Sequence, residues 1–206
     1  MRLSADEALI FADVRTLPVD PAALAEFFRI KLVTYQECGE IFEKSRTELY
    51  QMSRFGFSFI HEERYVCAIN ENSCGERRRR WTIAHELGHC LLGHISGEVL
   101  TEQQEQEADR FAAELLAPLT VLHFCGVSSA EELGKLCGLS AQAAQIRFGE
   151  LNRLRRSSAE RFRRWRVTDR MTAAPKSGFL GSSGDMRLMM QFSGFIGQYI
   201  YERSCG

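Results

Sequence analysis

Helical and extended patterns alternate over the first third of the chain. A helix is predicted over residues 20–30, because Asp20 can cap its amino end and Pro21 suits the first helical position. Residues 40–54 are predicted to form one amphipathic helix. The run "KLVTY" between these two segments is predicted to form a short strand.

The pattern changes at residues 55–70, where the runs "FGFSFI" and "RYVCAIN" are rich in β-branched and aromatic residues. His61, Glu62 and Glu63 separate the two runs, so a β-hairpin is predicted here. Helical spacing then returns in four segments, at residues 79–93, 102–116, 129–137 and 141–156. This order predicts an α+β fold that is mainly helical, with a small antiparallel sheet, followed by a helix-turn-helix-like helical pair.

Composition and charge are those of an ordinary globular protein. The chain has 206 residues and a formal net charge of -1, so its overall charge predicts neither nucleic acid nor a membrane surface as partner. No segment has the ~20 apolar residues of a membrane span, and no secretory signal is recognisable. The seven cysteines form no Cys-x-x-Cys pair. We therefore expect reduced thiols and a cytoplasmic location.

The helix predicted over residues 79–93 contains "HELGH", which fits the pattern His-Glu-x-x-His. His85 and His89 are four residues apart, so both imidazoles lie on one helix face and can bind one metal ion. Glu86 lies between them and can take a proton from a metal-bound water, whose pKa zinc lowers to about 7. The alternative is a surface helix with incidental histidines, but apolar side chains are available to bury the opposite face.

A catalytic zinc ion usually has three protein ligands, so a third ligand is expected from another element. The helix predicted over residues 102–116 has an inward stripe of alanine and leucine, and Glu105 and Asp109 lie on or beside it. Glu107 falls on the opposite side and is interpreted as solvated. We therefore predict Glu105 as the third ligand and Asp109 as a hydrogen-bond partner of a ligating histidine.

Two neighbouring residues are not predicted to be ligands. On a continuous helix His94 would lie about 140° from His89, and Gly93 can end the helix before it. His94 is interpreted as a capping residue or as a support for a ligand. Cys90 is interpreted as a buried packing thiol.

The segments "RRRRWTIAHELGHCLLGH" and "EQEADRFAAELLAP" resemble the ImmA/IrrE-type metallopeptidases, which are minimal gluzincin-like zinc peptidases. The resemblance covers roughly residues 20–155. It implies a zincin-like fold, a Zn²⁺ cofactor and the following roles: zinc ligands His85, His89 and Glu105, general base Glu86, and Asp109 at the end of the family's E-x-x-x-N/D pattern. Members commonly have Asn where this chain has Asp, and Asp keeps the hydrogen-bonding role.

The resemblance also implies a regulatory function. Better-known members cleave, or help to inactivate, a DNA-binding repressor with a helix-turn-helix domain, and so switch on mobile-element or stress-response genes. We therefore expect a repressor of this kind as the protein substrate. The hairpin can hold an extended peptide by β-augmentation, with Phe57, Phe59 and Tyr65 as candidate substrate contacts.

The helical pair over residues 129–156 has two interpretations. A tight turn at Gly138, a cap at Ser140 and the small Gly134 at a close helix crossing match a helix-turn-helix. The groups suited to base edges are few, and they are Gln142, Gln145 and Arg147. A pair packed against the peptidase core is therefore favoured over DNA binding.

The following stretch, residues 151–170, carries eight arginines against Glu160 and Asp169. Such a stretch can bind DNA, an anionic surface or an acidic partner. The alternative is a solvated helix whose apolar residues Leu151, Leu154, Phe162 and Trp165 pack on the core.

These patterns predict three segments: a zinc metallopeptidase domain at residues 1–124, a helix-turn-helix-like segment at 125–157, and a basic helix with a C-terminal tail at 158–206. The main functional interpretation is a zinc endopeptidase that cleaves or inactivates a transcriptional repressor. The alternatives are a non-catalytic repressor- or DNA-binding module on the same fold, and a metal-stabilised DNA-binding protein. Glu86 favours the enzyme, because a binding module needs no base between two ligands. The oligomeric state is not predicted.

Overall fold

The computed structural model describes residues 2–72, 75–95, 99–168 and 183–205. In chain order its elements are α1 (Ala5–Phe11), α2 (Pro21–Phe27), β1 (Lys31–Thr34), α3 (Tyr35–Phe42), α4 (Arg46–Met52), β2 (Gly56–His61), β3 (Arg64–Ile69), α5 (Glu76–Leu92), α6 (Glu102–Leu116), α7 (Leu119–Phe124), α8 (Ala130–Cys137), α9 (Ala141–Thr168), α10 (Ser183–Gln191) and α11 (Ser193–Ser204). Helices predominate beside one small sheet, which confirms the predicted α+β class.

Contacts divide the chain into two compact units. The first unit comprises residues 1–8 and 19–116, and the second unit comprises residues 9–18 and 117–206. This division falls before the predicted boundary at 124/125, and α9 runs through the one at 157/158. The three predicted segments therefore remain functional predictions. None of the described helices is long and apolar enough to span a membrane.

The sheet of the first unit has the strand order β1-β3-β2. β2 and β3 form the predicted antiparallel hairpin. Its turn residues Glu62 and Glu63 have positive φ angles of 48° and 60°, as in a type I′ turn. β1 adds to β3 in parallel, with Lys31 opposite Val66. The sheet is thus mixed rather than wholly antiparallel, and β2 is an edge strand.

The two faces of this sheet have different neighbours. One face carries a core cluster of Val33, Tyr35, Cys38, Leu49, Val66 and Ala68, with Phe57 and Phe59 packed against it. Successive side chains of a strand point to opposite faces. Ser58, between the two phenylalanines, therefore points to the other face, where it contacts α5.

The helix predicted over residues 40–54 is two helices, α3 and α4. Glu43 adopts the left-handed conformation with φ of 52° and ends α3. Ser45 then caps α4: its hydroxyl accepts from the Glu48 backbone, while the Glu48 carboxylate accepts from the Ser45 backbone. The left-handed Glu43 ends one helix and this capping box starts the next, so the segment forms two helices. The predicted cap at Asp20 and the predicted strand β1 are confirmed.

In the second unit, α8 and α9 form the predicted helical pair. Gly138 adopts the left-handed conformation, with φ of 65°, and Ser140 caps the first turn of α9 through a 3.2 Å hydrogen bond. A Cβ added to Gly134 would lie 3.2 Å from Cβ of Ala144, so the helices cross closely there, as expected. α9 extends well beyond its predicted end at residue 156.

One of the three groups suited to base edges has a structural role. Arg147 is buried, its Nε donates to the carbonyl oxygen of Ala117 at 2.8 Å, and its guanidinium pairs with Glu150 at 2.7 Å. Arg147 is therefore not available to base edges, because its guanidinium satisfies a buried carbonyl inside the unit, and this agrees with the favoured interpretation of a packed helical pair.

The structure describes only some of the other residues named for DNA binding. Gln142 and Gln145 are exposed, and Leu151 is buried, as the solvated-helix alternative predicts. The side chains of the basic stretch from residue 158 onward lie outside the described part of the structure. DNA contact through residues 151–170 therefore stays a prediction.

Candidate metal centre

α5 carries both histidines of the motif on one face. His85 and His89 are one helical turn apart, and their Nε2 atoms lie 3.0 Å from each other. The His85 side chain is 16% exposed and the His89 side chain 2% exposed, so the two imidazoles are largely buried in the first unit. Two imidazole nitrogens therefore converge on one point that remains accessible from the His85 side.

Gly88 allows α6 to approach this face of α5. A Cβ at residue 88 would lie 3.2 Å from Cα of Ala108 and 3.2 Å from two atoms of Phe111. Any side chain here would meet the backbone of α6, so glycine permits a crossing that larger residues would widen. This close crossing brings the first turns of α6 level with the histidines.

Glu105 of α6 completes the group. Its Oε2 lies 3.3 Å from Nε2 of His85, and its Oε1 lies 3.7 Å from Nε2 of His89. One ligand atom from each of the three residues lies within 4.8 Å of the others. The structure thus brings together the three residues predicted as metal ligands, and we call His85, His89 and Glu105 the metal group.

The other nitrogen of each imidazole is also held. Nδ1 of His85 lies 2.9 Å from Oδ1 of Asp109, in the place predicted for this carboxylate. Nδ1 of His89 lies 3.2 Å from Nδ1 of His94. Both rings are therefore anchored from behind, which directs each Nε2 towards Glu105.

This donor set fits a zinc ion. Bonds of about 2.0–2.2 Å in a tetrahedral site place ligand atoms roughly 3.3–3.6 Å apart. The two Nε2 atoms are 3.0 Å apart, and the Glu105 carboxylate faces His85 with Oε2 at 3.3 Å and His89 with Oε1 at 3.7 Å. Burial, with smaller contributions from His85 and His94, lowers the pKa of His89 to about 3. His89 is therefore neutral at neutral pH, which is the state that binds a metal.

Glu86 lies beside this group but points to the sheet. It is 5% exposed, and the hydroxyl of Ser58 donates to its Oε2 at 2.5 Å. Burial raises the pKa of Glu86 to about 7, against the opposing effects of the Ser58 hydrogen bond and the charge of His85. A buried carboxyl with a pKa near neutrality can both accept and release a proton, as a general base requires.

Two thiols lie behind Ser58. Sγ of Cys67 is 3.4 Å from the Ser58 hydroxyl and 3.7 Å from Sγ of Cys90. The contact with Cys90 and burial raise the pKa of Cys67 well above its usual value. Cys90 is 2% exposed, which confirms the prediction of a buried packing thiol.

The sequence pattern predicted a solvated Glu107, but its carboxylate has two partners in the structure. Its Oε2 lies 3.1 Å from Nε2 of His94, and its Oε1 accepts from Gln103 at 2.8 Å. The helical spacing of α6 correctly predicted that Glu107 lies away from the metal group. It could not predict the contact with His94, because His94 follows the end of α5. His94 lies there and reaches a different side of α6 than His85 does.

The candidate substrate contacts lie on different faces of the sheet. Phe57 and Phe59 pack against the core cluster on the face opposite to Ser58, with their ring centroids 5.7 Å apart. This placement gives no support to a contact between either ring and a peptide at the metal group. Tyr65 pairs with Ile60 and so lies on the same face as Ser58.

Sequence reasoning missed three residues of the site: Ser58, Gly88 and Glu107. Ser58 was detectable, because strict alternation with two core phenylalanines points it to the helix side. Gly88 was detectable as a glycine inside a helix interior, where it needs a packing reason. Glu107 gave no sequence signal, since its partner His94 lies outside regular structure.

Comparison with known proteins identifies the family of this chain. The chain has no significant match among curated proteins. The family model described as Peptidase_M78, IrrE N-terminal-like domain, matches residues 41–148, which is more than half of the chain. This match includes the hairpin, the His-Glu-x-x-His helix and α6, and it confirms the resemblance to ImmA/IrrE-type metallopeptidases. The chain therefore belongs to the Peptidase_M78 family of IrrE N-terminal-like domains.

Proposed function

We propose that this protein is a zinc-dependent endopeptidase that cleaves or inactivates a DNA-binding transcriptional repressor. The observation that carries the proposal is the position of Glu86. Its buried carboxyl is held by Ser58 and lies near enough to His85 and Glu105 for their charges to affect its pKa, while the Nε2 atoms of His85 and His89, 3.0 Å apart, converge with Glu105. A peptidase needs these groups together, whereas a purely structural metal site uses four protein ligands and no base.

The chemistry divides between the metal and the chain. When bound, zinc supplies Lewis acidity, which polarises the scissile carbonyl and lowers the pKa of water to about 7. Glu86 takes the proton of the attacking water and passes it to the nitrogen of the leaving amine. Ser58 holds Oε2 of Glu86 at 2.5 Å and leaves Oε1 to exchange the proton.

The sheet offers a place for the substrate backbone. β2 is an edge strand, and its residue Ser58 contacts Glu86 directly. An extended peptide added to the outer edge of β2 would run beside the catalytic carboxyl, held by main-chain hydrogen bonds. Among the candidate side chains, Tyr65 lies on the face of the sheet that carries Ser58.

The repressor as substrate is inferred from the family resemblance, and the exposure of the metal group supports it. Glu105 is 48% exposed and Asp109 61%, so one side of the group is open to a large partner. DNA binding by the chain itself finds less support, because Arg147 is a buried structural residue.

Co-expression with a helix-turn-helix repressor encoded beside the gene tests the proposal. The proposal requires repressor cleavage that a chelator prevents and that Glu86→Gln abolishes while the variant retains its zinc. Undiminished cleavage by Glu86→Gln would refute the assigned base. A stable complex with the repressor, without cleavage by the zinc-loaded protein, would instead establish the non-catalytic binding module.

A further inference from the structure

His94 is brought back to the metal helix by the way α5 ends. Gly93 adopts the left-handed conformation, with φ of 73°, so the helix stops there. The backbone N–H of His94 then donates to the carbonyl oxygen of His89 at 2.9 Å. This reversal buries the His94 side chain, which is 5% exposed, beside the ring of His89.

Three side chains form a continuous line from solvent to the metal group. Glu107 contacts Nε2 of His94 at 3.1 Å, and Nδ1 of His94 contacts Nδ1 of His89 at 3.2 Å. Nε2 of His89 is the atom that faces His85 and Glu105. Gln103 donates to the second oxygen of Glu107 and so holds the carboxylate in place. We call this line the Glu107–His94–His89 relay.

The proton positions in this relay follow from what each group can donate. A carboxylate only accepts, so Nε2 of His94 carries the hydrogen, and in the neutral ring Nδ1 of His94 is then an acceptor. Nδ1 of His89 therefore carries the hydrogen, which leaves the lone pair of its Nε2 free. That lone pair is what a metal ligand requires.

We propose that Glu107, acting through His94, selects the metal-binding tautomer of His89. Glu107 and His94 are positioning residues in this proposal, since neither supplies a ligand atom to the metal group. His85 receives the same orientation directly from Asp109 at 2.9 Å. The inference deepens the proposed zinc-peptidase function and rests on it for its biological purpose.

The consequence of losing Glu107 follows from the same proton count. Without a carboxylate acceptor, the hydrogen of His94 is free to move to Nδ1, where it would face the Nδ1 hydrogen of His89. The conflict is relieved when His89 carries its hydrogen on Nε2 instead. That tautomer presents no lone pair to a metal, so zinc must displace it at a cost in affinity.

Two variants and one control test the relay. Glu107→Ala removes the acceptor, while Glu107→Gln keeps an amide oxygen that can accept from His94. Glu114→Ala is the control, because Glu114 is an exposed acid on the same helix. The readouts are the zinc dissociation constant, from competition with a chromophoric chelator, and the ring-nitrogen NMR resonances of His89 in the metal-free proteins.

We expect Glu107→Ala to weaken zinc binding by about 10–100-fold, as is typical when a group that orients a ligand is lost. In the metal-free Glu107→Ala protein, the His89 resonances should shift towards the tautomer protonated at Nε2. Glu107→Gln should recover most of the affinity, and Glu114→Ala should match the wild type. Circular dichroism and thermal unfolding will confirm that each variant folds.

Unchanged zinc affinity in Glu107→Ala, or unchanged His89 resonances, would overturn the relay. Failure of the proposed function gives a different result, because the wild type would then bind no zinc or leave the repressor intact when loaded. The NMR measurement uses metal-free protein, so it decides the tautomer proposal in that case too.

Discussion

Two helix pairs in this molecule cross closely at a glycine but bury different kinds of side chain. In the first unit α5 crosses α6 at Gly88, and in the second unit α8 crosses α9 at Gly134. In both pairs an added Cβ would lie 3.2 Å from its nearest neighbour across the crossing. The difference lies in what the crossings bury.

The α5–α6 pair encloses polar groups that converge on one point, while the α8–α9 pair encloses leucine, cysteine and alanine. The buried Glu86 and His89 have pKa values of about 7 and about 3, held away from their ordinary values by burial. In the second pair the buried Arg147 donates to a backbone carbonyl and to Glu150. Convergent polar groups with shifted pKa values thus favour the first pair as the candidate site, and helix geometry alone does not distinguish the two pairs.

The largest expected effect in the first pair is the loss of activity in Glu86→Gln. The amide cannot accept a proton, so repressor cleavage should fall by roughly 10²–10⁴-fold, the usual contribution of general acid–base catalysis. Zinc content and unfolding temperature should stay near the wild type, because the amide keeps the size of the side chain. Cleavage assays with matched zinc loading check this. A variant that also loses zinc would show that Glu86 holds the site together instead.

Removing Arg147 should produce the reverse pattern in the second pair. Arg147→Met leaves the Ala117 carbonyl without its donor at 2.8 Å, and an unsatisfied buried group costs about 1–3 kcal/mol of unfolding free energy. Zinc affinity and cleavage should not change. Urea unfolding measures the cost, and Arg153→Met, at a 69% exposed side chain, is the control. Loss of repressor cleavage in folded Arg147→Met would contradict the separation of roles.

The glycine pair compares the two crossings directly. Gly88→Ala pushes against the backbone of Ala108 and should cost about 1–2 kcal/mol while weakening zinc binding, because Glu105 moves with α6. Gly134→Ala has one tight contact, 3.2 Å to Cβ of Ala144, beside an ordinary contact of 3.7 Å to the Leu139 carbonyl oxygen. The higher helix propensity of alanine, about 1 kcal/mol, should offset the tight contact. Thermal unfolding and zinc titration of both variants provide the comparison. Equal effects on zinc affinity would remove the distinction.

The smallest expected effect concerns pH and the second unit. Burial, with a smaller contribution from Arg155, lowers the pKa of His123 from 6.5 to about 4. Between these two pKa values, His123 is protonated in the unfolded chain and neutral in the folded chain. The contribution to stability is therefore present above pH 6.5 and is lost as the pH falls towards 4. Urea unfolding of zinc-loaded protein at several pH values in this window checks the slope, which should be shallower in His123→Gln. An identical slope in that variant would assign the pH dependence elsewhere.

Much of the fold was predictable because its signals are local. Asp20 before Pro21, and the change to β-branched and aromatic runs around Glu62 and Glu63, each determine the backbone within a few residues. The division of residues 40–54 into two helices was also signalled locally by the capping box of Ser45 and Glu48, which the apolar spacing obscured.

The metal group was predictable to the extent that helical phase applies. His85 and His89 lie on one helix, and Glu105 faces them from another regular helix. His94 and Glu107 were not predictable as partners, because their contact depends on the chain reversal at Gly93. The structural role of Arg147 was not predictable for a related reason: a sequence pattern cannot show that a long cationic side chain meets a buried carbonyl distant in sequence.

The most direct test of the central claim is the amount of zinc bound per chain, measured by native mass spectrometry on metal-free protein titrated with zinc. The wild type should bind one zinc ion, and His85→Ala, His89→Ala and Glu105→Ala should each lose it at the concentration that saturates the wild type. Glu114→Ala should bind like the wild type. Wild-type zinc binding by Glu105→Ala would contradict the three-ligand centre described here.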